Sequence, residues 1–419
     1  MHVEKLAAHN SCYANRILHM PSKQLVIGKW VVSASGDVKK LTGLSHGKLI
    51  DNVRLGSSAV HLHHPESMLY MLGMDGILFE CDVVSSFSCS AITNLVKDLR
   101  IPDGHQPHFK AAHSMDGVLR VGSNTFDERD ETALESTGAG RLAAWNGSGN
   151  WEILEHTAFY EIAGRANFGK VVYAVGWDAK SVILRVHAPR YGSKVFRLPK
   201  ASHAWDHMWE TEWPRIREVG TERYLLDAHG MFFELAPIAW DGSVTGVKPI
   251  CQHLRVIPDF TVFAGMFVMG SNQISSVNGN NLITGQSQSG LWFGKVDDLW
   301  SFGKPQGWGA FWRRQNITKG DASDPFLMTG FDHKVIHFQG SGDCIVQVEL
   351  DITGTASRIG PDKIPFLESW SIYPSSSDPL TLTGSTSSHS FAPGFSAHWV
   401  RLHVVTGNCV NASAIMFYS

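Results

Sequence analysis

With 419 residues and 43% hydrophobic content the chain can bury a large core, and size alone would divide it into two or three domains. A formal net charge of -3, with 18% charged residues and no basic run, argues against nucleic acid as the partner. No apolar segment is long enough to span a bilayer, and the opening MHVEKLAAHN lacks the apolar stretch of a signal peptide.

Forty glycines, seventeen prolines and 11% aromatic residues, without sustained helical periodicity, predict short strands, many turns and very little helix. HMPSKQLVIG from His19, HPESMLYMLG from His64 and HSMDGVLRVG from His113 share one form. Each is a histidine, a turn, an apolar run and a glycine nine places on. Their starts lie 45 and 49 residues apart, the length of a four-stranded propeller blade. The next strand recurs as MDGILFE, AHGMFFE and SGLWFGK. The expected fold is all-β, a single-domain seven-bladed β-propeller over residues 1–419. Its blades are drafted near 10–50, 55–100, 106–155, 157–200, 212–255, 258–315 and 323–375. The tail, 378–419, holds two alternating strands around a Gly-Asn turn. It is expected to complete the last blade or brace it against the first, because unpaired sheet edges are a liability.

Six cysteines without a CxxC pair suit an oxidising compartment better than a zinc site. Cys81 and Cys89 flank a short turn and are placed to bridge neighbouring strands, whereas Cys12, Cys251, Cys344 and Cys409 are too scattered to pair by spacing. With glycosylation sequons at Asn146, Asn316 and Asn411, this favours a secreted protein whose signal peptide is absent from the chain, and a monomer is expected.

In a blade, the loop ahead of the inner strand opens at one end of the channel and the turn after it at the other. The histidines of DGHQPHFKAAH are divided accordingly. His105 and His108 precede the inner strand, while His113 joins His19 and His64 in the repeated turn. From His108 to His113 a strand covers roughly 16 Å, so one metal cannot hold all three. His113 is expected to be structural. His105, behind Asp103-Gly104, is the candidate base or proton shuttle, with His108 as a binding neighbour; the competing reading is a solvated loop histidine.

His105, His156 and His207 recur at intervals of 51 residues, and one more step back reaches Arg54. This offers Arg54, His156 and His207 as binding residues at the same mouth. Counting from the inner-strand turns instead sets His105 nearer to Phe159, so the register stays open. Loops after the second strands add Asn124, Trp177, Lys180, His229, Asn272, Gln273, Gln286 and Gln288, the mix of amides and aromatic faces that sugar sites use. Ordinary turn composition is the alternative. Arg165, Arg215 and Arg217 lie near inner strands, where a guanidinium can clamp a carboxylate or pair with Glu161, Glu212 or Glu218. The tryptophans at 205, 209, 213, 300, 308 and 312 read as blade packing. Asp127, Glu128, Asp130 and Glu131 crowd one loop that reads first as solvated, with a glycosidase pair left open. Serine-hydrolase, zinc-protease, P-loop and dinucleotide motifs are absent.

The segments DHMWETEWPRIREVG, DAHGMFFEL, GLWFGKVDDLWSFGKPQGWG, DPFLMTGFDHKVIHF and FAPGFSAHWVRL resemble the L-rhamnose-α-1,4-D-glucuronate lyases and relatives first described as rhamnosidases. The likeness runs from about residue 200 to the end. It implies a single seven-bladed propeller that removes rhamnose caps from arabinogalactan-type polysaccharides such as gum arabic. β-Elimination at a uronate needs a base for the C5 proton, neutralisation of the carboxylate and protonation of the departing rhamnose. His105 and Arg165 are the candidates for the catalytic roles, on their placement in the blade. No cofactor is required, and a structural Ca²⁺ in the channel suits the fold without any ligand spacing to assign it. The expected partner is a rhamnose-capped acidic polysaccharide, with neither nucleic acid nor membrane. The rivals are a rhamnosidase-type hydrolase and a carbohydrate-binding propeller that releases nothing.

Overall fold

The computed structural model describes residues 16–44, 55–125, 138–165, 170–188, 192–203, 214–220, 223–235, 246–253, 257, 259–271, 274–275, 286–287, 290–354, 370–383 and 385–419. They form an all-β chain of mostly antiparallel sheets, divided into two compact units, Met1–Gly164 and Arg165–Ser419. Among the described residues no helix is long and apolar enough to cross a membrane.

The first unit is built from three four-stranded antiparallel sheets. The first holds β1 (Arg16–His19), β2 (Gln24–Ile27), β3 (Trp30–Val32) and β4 (Val38–Lys40). The second holds β5 (Leu55–Val60), β6 (Met68–Gly73), β7 (Ile77–Asp82) and β8 (Cys89–Asn94). A short helix, α1 (Leu95–Asp98), follows, capped by the Asn94 side chain, which accepts from the Val96 N–H. The third sheet holds β9 (Phe109–Met115), β10 (Val118–Ser123), β11 (Arg141–Trp145) and β12 (Glu152–Glu155), and β13 (Ala158–Arg165) leads out. Spatial order equals sequence order in all three, so neighbouring strands are neighbours in the chain.

Packing between sheets explains why the strands are apolar on both faces. Tyr70, Leu72, Leu78, Leu99, Phe109 and Val121 form one buried cluster that joins the second sheet to the third. Gly56 sits where β5 meets β9, and a Cβ there would lie 2.2 Å from the Phe109 carbonyl oxygen. Glycine is required at that contact. Cys81 faces Cys89 across the β7–β8 register and is bonded to it, as their spacing predicts.

His113 corrects one expectation. It lies within β9 opposite Arg120, and the turn falls later, at Asp116 and Gly117, which hold φ of 53° and 73°. Those positions accept left-handed backbone and His113 does not need to. Burial, aided by the Arg120 charge, lowers its pKa to about 4 from 6.5. The unfolded chain therefore binds a proton that the folded chain refuses between these values, and stability falls as pH drops through that window. An unfolding series at pH 4 to 7 should lose about 1.4 kcal/mol per pH unit there. The loss should vanish in His113→Gln; a slope that survives the substitution would contradict the assignment.

In the second unit β14 (Val171–Trp177), β15 (Val182–Ala188) and β16 (Gly192–Leu198) pair in order. β14 is buried at every position, the pattern of a strand covered on both faces. A separate sheet follows, with β17 (Arg215–Gly220), β18 (Arg223–Ala228), β19 (Met231–Glu234) and β20 (Lys248–Gln252) in sequence order. It packs through Phe232, Phe260 and Phe267 on a sheet of β21 (Phe260–Phe263), β22 (Met266–Ser271) and β25 (Gly290–Gly294). β23 (Ile274–Ser275) and β24 (Gln286–Ser287) form a small two-stranded ladder.

The remaining strands are β26 (Gly307–Thr318), β27 (Phe326–Leu327), β28 (Lys334–Gly342), β29 (Ile345–Asp351), β30 (Ser371–Ile372), β31 (Thr381–Thr383), β32 (Thr386–Ser390), β33 (Trp399–Thr406) and β34 (Asn408–Tyr418). Of the four strands in the tail, β32 lies at a sheet edge beside β28 and β31 pairs with β29, whereas the two around the Gly-Asn turn lie inside sheets. β34 lies between β26 and β28, and β33 lies between β27 and β29. Alternate burial along β33 and β34 fits central strands. β27 also pairs with β16, at Phe326 and Arg197, in parallel.

Cys344 and Cys409 form a second disulfide across 65 residues, tying the start of β34 to the β28–β29 turn. Replacing both by serine should cost about 2–4 kcal/mol, read as a lower melting temperature. An unchanged melting temperature would contradict this. Cys251 is a free, buried thiol whose pKa burial pushes up to about 12, so it is no nucleophile at neutral pH. Cys12 lies outside the described residues.

Candidate functional site

The loop that carries His105 and His108 is fixed by a residue that sequence reasoning passed over. Arg141, only 4% exposed, donates to the carbonyl oxygens of Leu99 and Arg100 beyond α1 and to those of Gly138 and Gly140. Burial lowers its pKa, and four carbonyl dipoles offset the cost of its charge. Gly104, with φ of 81°, then turns the chain so that the His105 N–H meets the Pro102 carbonyl at 3.4 Å.

His108 joins the end of β10. The Asn124 N–H donates to the His108 carbonyl at 3.0 Å, and the His108 N–H donates to Thr125 Oγ1 at 3.4 Å. Asn124 is buried, and its Nδ2 donates to the Tyr160 hydroxyl on β13 at 3.3 Å. His108, Asn124 and Tyr160 are thus one connected group, with His105 three residues earlier on the same loop. His105 is half-buried, and its Nδ1 is enclosed without a hydrogen-bond partner among the described residues. Tyr160 carried no motif. Only the pairing of β9 with β10, irregular between Gly122 and Ser123, brings Asn124 to the His108 end of β9.

His156 is exposed in the turn just before β13, two residues ahead of it, whereas His105 stands four ahead of β9. The interval of 51 residues therefore does not mark equivalent positions. Arg54 and His207 lie outside the described residues. So do Asn272, Gln273, Gln288, three of the tryptophans (205, 209 and 213) and the acidic loop of Asp127, Glu128, Asp130 and Glu131. Arg165 ends β13 and Gln286 starts β24, with backbone alone described at both.

In the second unit, two expected binding residues are enclosed by protein. Trp177 is 2% exposed, with Lys200 Nζ 4.8 Å above its ring and the His229 ring against it at 5.5 Å. His229 is equally buried, holds a φ of 49° in the β18–β19 turn, and accepts two backbone N–H groups from Ala201 and Ser202 at its carbonyl. Both are structural, because a platform for sugar needs an open face and a reader needs an accessible edge. Arg217 is engaged with a carboxylate of the protein itself. Its guanidinium grips Asp259 through Nε at 2.9 Å and Nη2 at 3.1 Å. This aspartate lies 42 residues on. Arg217→Met should cost about 1 kcal/mol of stability, as befits a half-exposed pair, and leave KM for any polysaccharide unchanged. A several-fold rise in KM would restore it to the binding site.

A second pair lay beyond sequence reasoning. Asp227, fully buried at the end of β18, accepts from His253 Nε2 at 2.8 Å, and the His253 N–H meets the Gly230 carbonyl at 2.7 Å. Burial raises the Asp227 pKa against the opposing pull of His253 and Arg215. The register of β18, β19 and β20 assembles this dyad from residues 26 apart. Among the described residues, no group of three or more His, Cys, Asp or Glu is placed to hold a metal ion.

No protein-family model matches the chain, and no curated protein matches it. Solved structures similar to it include U3-55K, at 12% identity and a TM-score of 0.39, covering 64% of this chain and 76% of that one. A luciferin-regenerating enzyme is similar at 9% identity and a TM-score of 0.40, covering 67% and 89%. The computationally designed Ika8 protein is similar at 10% identity and a TM-score of 0.35, covering 69% and 73%.

Proposed function

We propose that the protein is a secreted seven-bladed β-propeller and an exo-acting polysaccharide lyase. It releases L-rhamnose from α-1,4-linked D-glucuronate at the ends of arabinogalactan side chains. The observation that carries this is His105: an imidazole on a braced loop ahead of an inner strand, with an enclosed and unpartnered Nδ1. An unmet buried nitrogen costs about 1–3 kcal/mol, and a bound donor or acceptor relieves that cost. Sheets of four strands in sequence order support the propeller. Two disulfides support an oxidising compartment.

In this reaction His105 takes the C5 proton of the glucuronate, and the electron pair forms the C4–C5 double bond. The C4–O bond breaks, and rhamnose leaves with the glycosidic oxygen, which gains a proton. An arginine side chain is the natural partner for the carboxylate as negative charge builds on it. Asn124 and Tyr160 hold the floor beneath the loop in a fixed geometry. Incubation with gum arabic is the test: free rhamnose and an ultraviolet-absorbing unsaturated glucuronate appear in equal amounts. Rhamnose beside a saturated glucuronate would make the protein a hydrolase, and no release at all would make it a binding protein.

A further inference from the structure

A groove of about 930 Å³ opens in the first unit beside the second and third sheets, and His105 is not among its lining residues. Its size is within the roughly 300–1,000 Å³ of ligand pockets. One wall is a run of aromatic rings. His64 stacks on His61 at 5.4 Å, His61 on Tyr70 at 4.3 Å, Tyr70 meets Trp145 edge-on at 6.2 Å, and Trp145 stacks on Trp151 at 5.5 Å. Both indoles are only half-buried, so part of each remains accessible. Gly147 has a φ of 92°, and a Cβ there would lie 2.3 Å from His63 Nε2. The glycine lets His63 fold over one end of the groove.

The polar groups are already oriented. His61 Nδ1 accepts the backbone N–H groups of His63 and His64 at 3.2 and 3.0 Å, which places its ring proton on Nε2, facing Glu80 at 3.6 Å. Glu80 also accepts from Ser90, and Asp98 accepts from the Thr93 hydroxyl. These roles explain why the histidines form no metal site: His61 spends its free lone pair on the loop. Two carboxylates against the single guanidinium of Arg100 disfavour an anionic ligand.

We infer that this groove binds a neutral saccharide segment. A pyranose ring lies with its C–H face on the Trp145–Trp151 wall, and Glu80, Asp98 and Asn150 accept or donate to its hydroxyls. The groove anchors the polysaccharide backbone at a place distinct from the His105 loop. The substrate class comes from the proposed function, but the binding does not require that function.

Affinity electrophoresis tests it, in gels holding either a neutral arabinogalactan or polygalacturonate. The wild-type protein is expected to be retarded by the first and not by the second. Trp151→Ala removes half of the indole wall, and Ile92→Arg places a long charged chain at an exposed lining position on β8. Each should weaken retardation by about tenfold in apparent Kd. Melting curves confirm folding, and Ile92→Arg carries the test if Trp151→Ala does not fold. Undiminished retardation of a folded variant, absence of retardation in the wild type, or preference for polygalacturonate overturns the inference. Rhamnose release from a small rhamnosyl-glucuronide should be equal in wild type and variants. If no protein releases rhamnose, the lyase reading falls while the gel still reports on the groove.

Discussion

His105→Phe is expected to lower rhamnose release from gum arabic by about 10²–10⁴-fold, the range that a positioned acid or base contributes. Phenylalanine keeps a flat ring of similar size on the loop and removes both nitrogens, so binding and melting temperature should stay close to wild type. The comparison with His108→Phe is informative. His108 is held through its backbone at 3.0 and 3.4 Å, contacts that a side-chain substitution leaves in place. A modest effect at His108 beside a large one at His105 is the expected result. Equal activity in wild type and His105→Phe would remove His105 from the chemistry.

The largest stability effect is expected at Arg197. Its Nη1 lies 2.6 Å from Asp178 and 3.1 Å from Ser181 Oγ, and its Nε lies 2.9 Å from Asp324. These contacts fix the β14–β15 turn to the segment before β27, where β16 and β27 pair in parallel. Arg197→Met leaves the largely buried Asp178 without its guanidinium, while the more exposed Asp324 keeps its water, and the loss should reach about 3 kcal/mol by chemical denaturation, the lower end for a buried pair. Burial alone would raise the Asp178 pKa, but Arg197, with Lys180 and Lys200, leaves it lowered. A depressed carboxylate stabilises above its unfolded value of 3.8 and loses that contribution as pH falls through the folded value. The difference between wild type and Arg197→Met should therefore be full at pH 6 and shrink below pH 4. A constant difference across that range would contradict the ion-pair account.

The hairpins were legible because their turns carry their own chemistry. His19, His64 and Gly117 mark places where the chain must reverse, and β2, β6 and β10 follow as the apolar runs indicate. The slip at His113 arose because the reversal falls at Asp116 and Gly117, which hold the left-handed backbone, three residues beyond the histidine that opens the repeat. Cys81–Cys89 could be read from an eight-residue separation, whereas Cys344–Cys409 depends on β34 lying beside β28. Long-range partners were the blind spot throughout. Arg217 finds Asp259 and Asp227 finds His253 through sheet registers and sheet packing that no local pattern encodes. Burial was the other. Trp177 and His229 have the composition of a sugar site, yet each is enclosed by protein, which only the packing of Lys200 and the β18–β19 turn reveals.

The most direct test of the central claim is to digest gum arabic in water enriched in heavy oxygen and weigh both products at early times. Elimination keeps the original glycosidic oxygen on rhamnose and leaves a glucuronate lighter by one water. That pairing is expected. Heavy oxygen in the newly released rhamnose, with a glucuronate of full mass, would mean that water cleaves the bond and would contradict the lyase account.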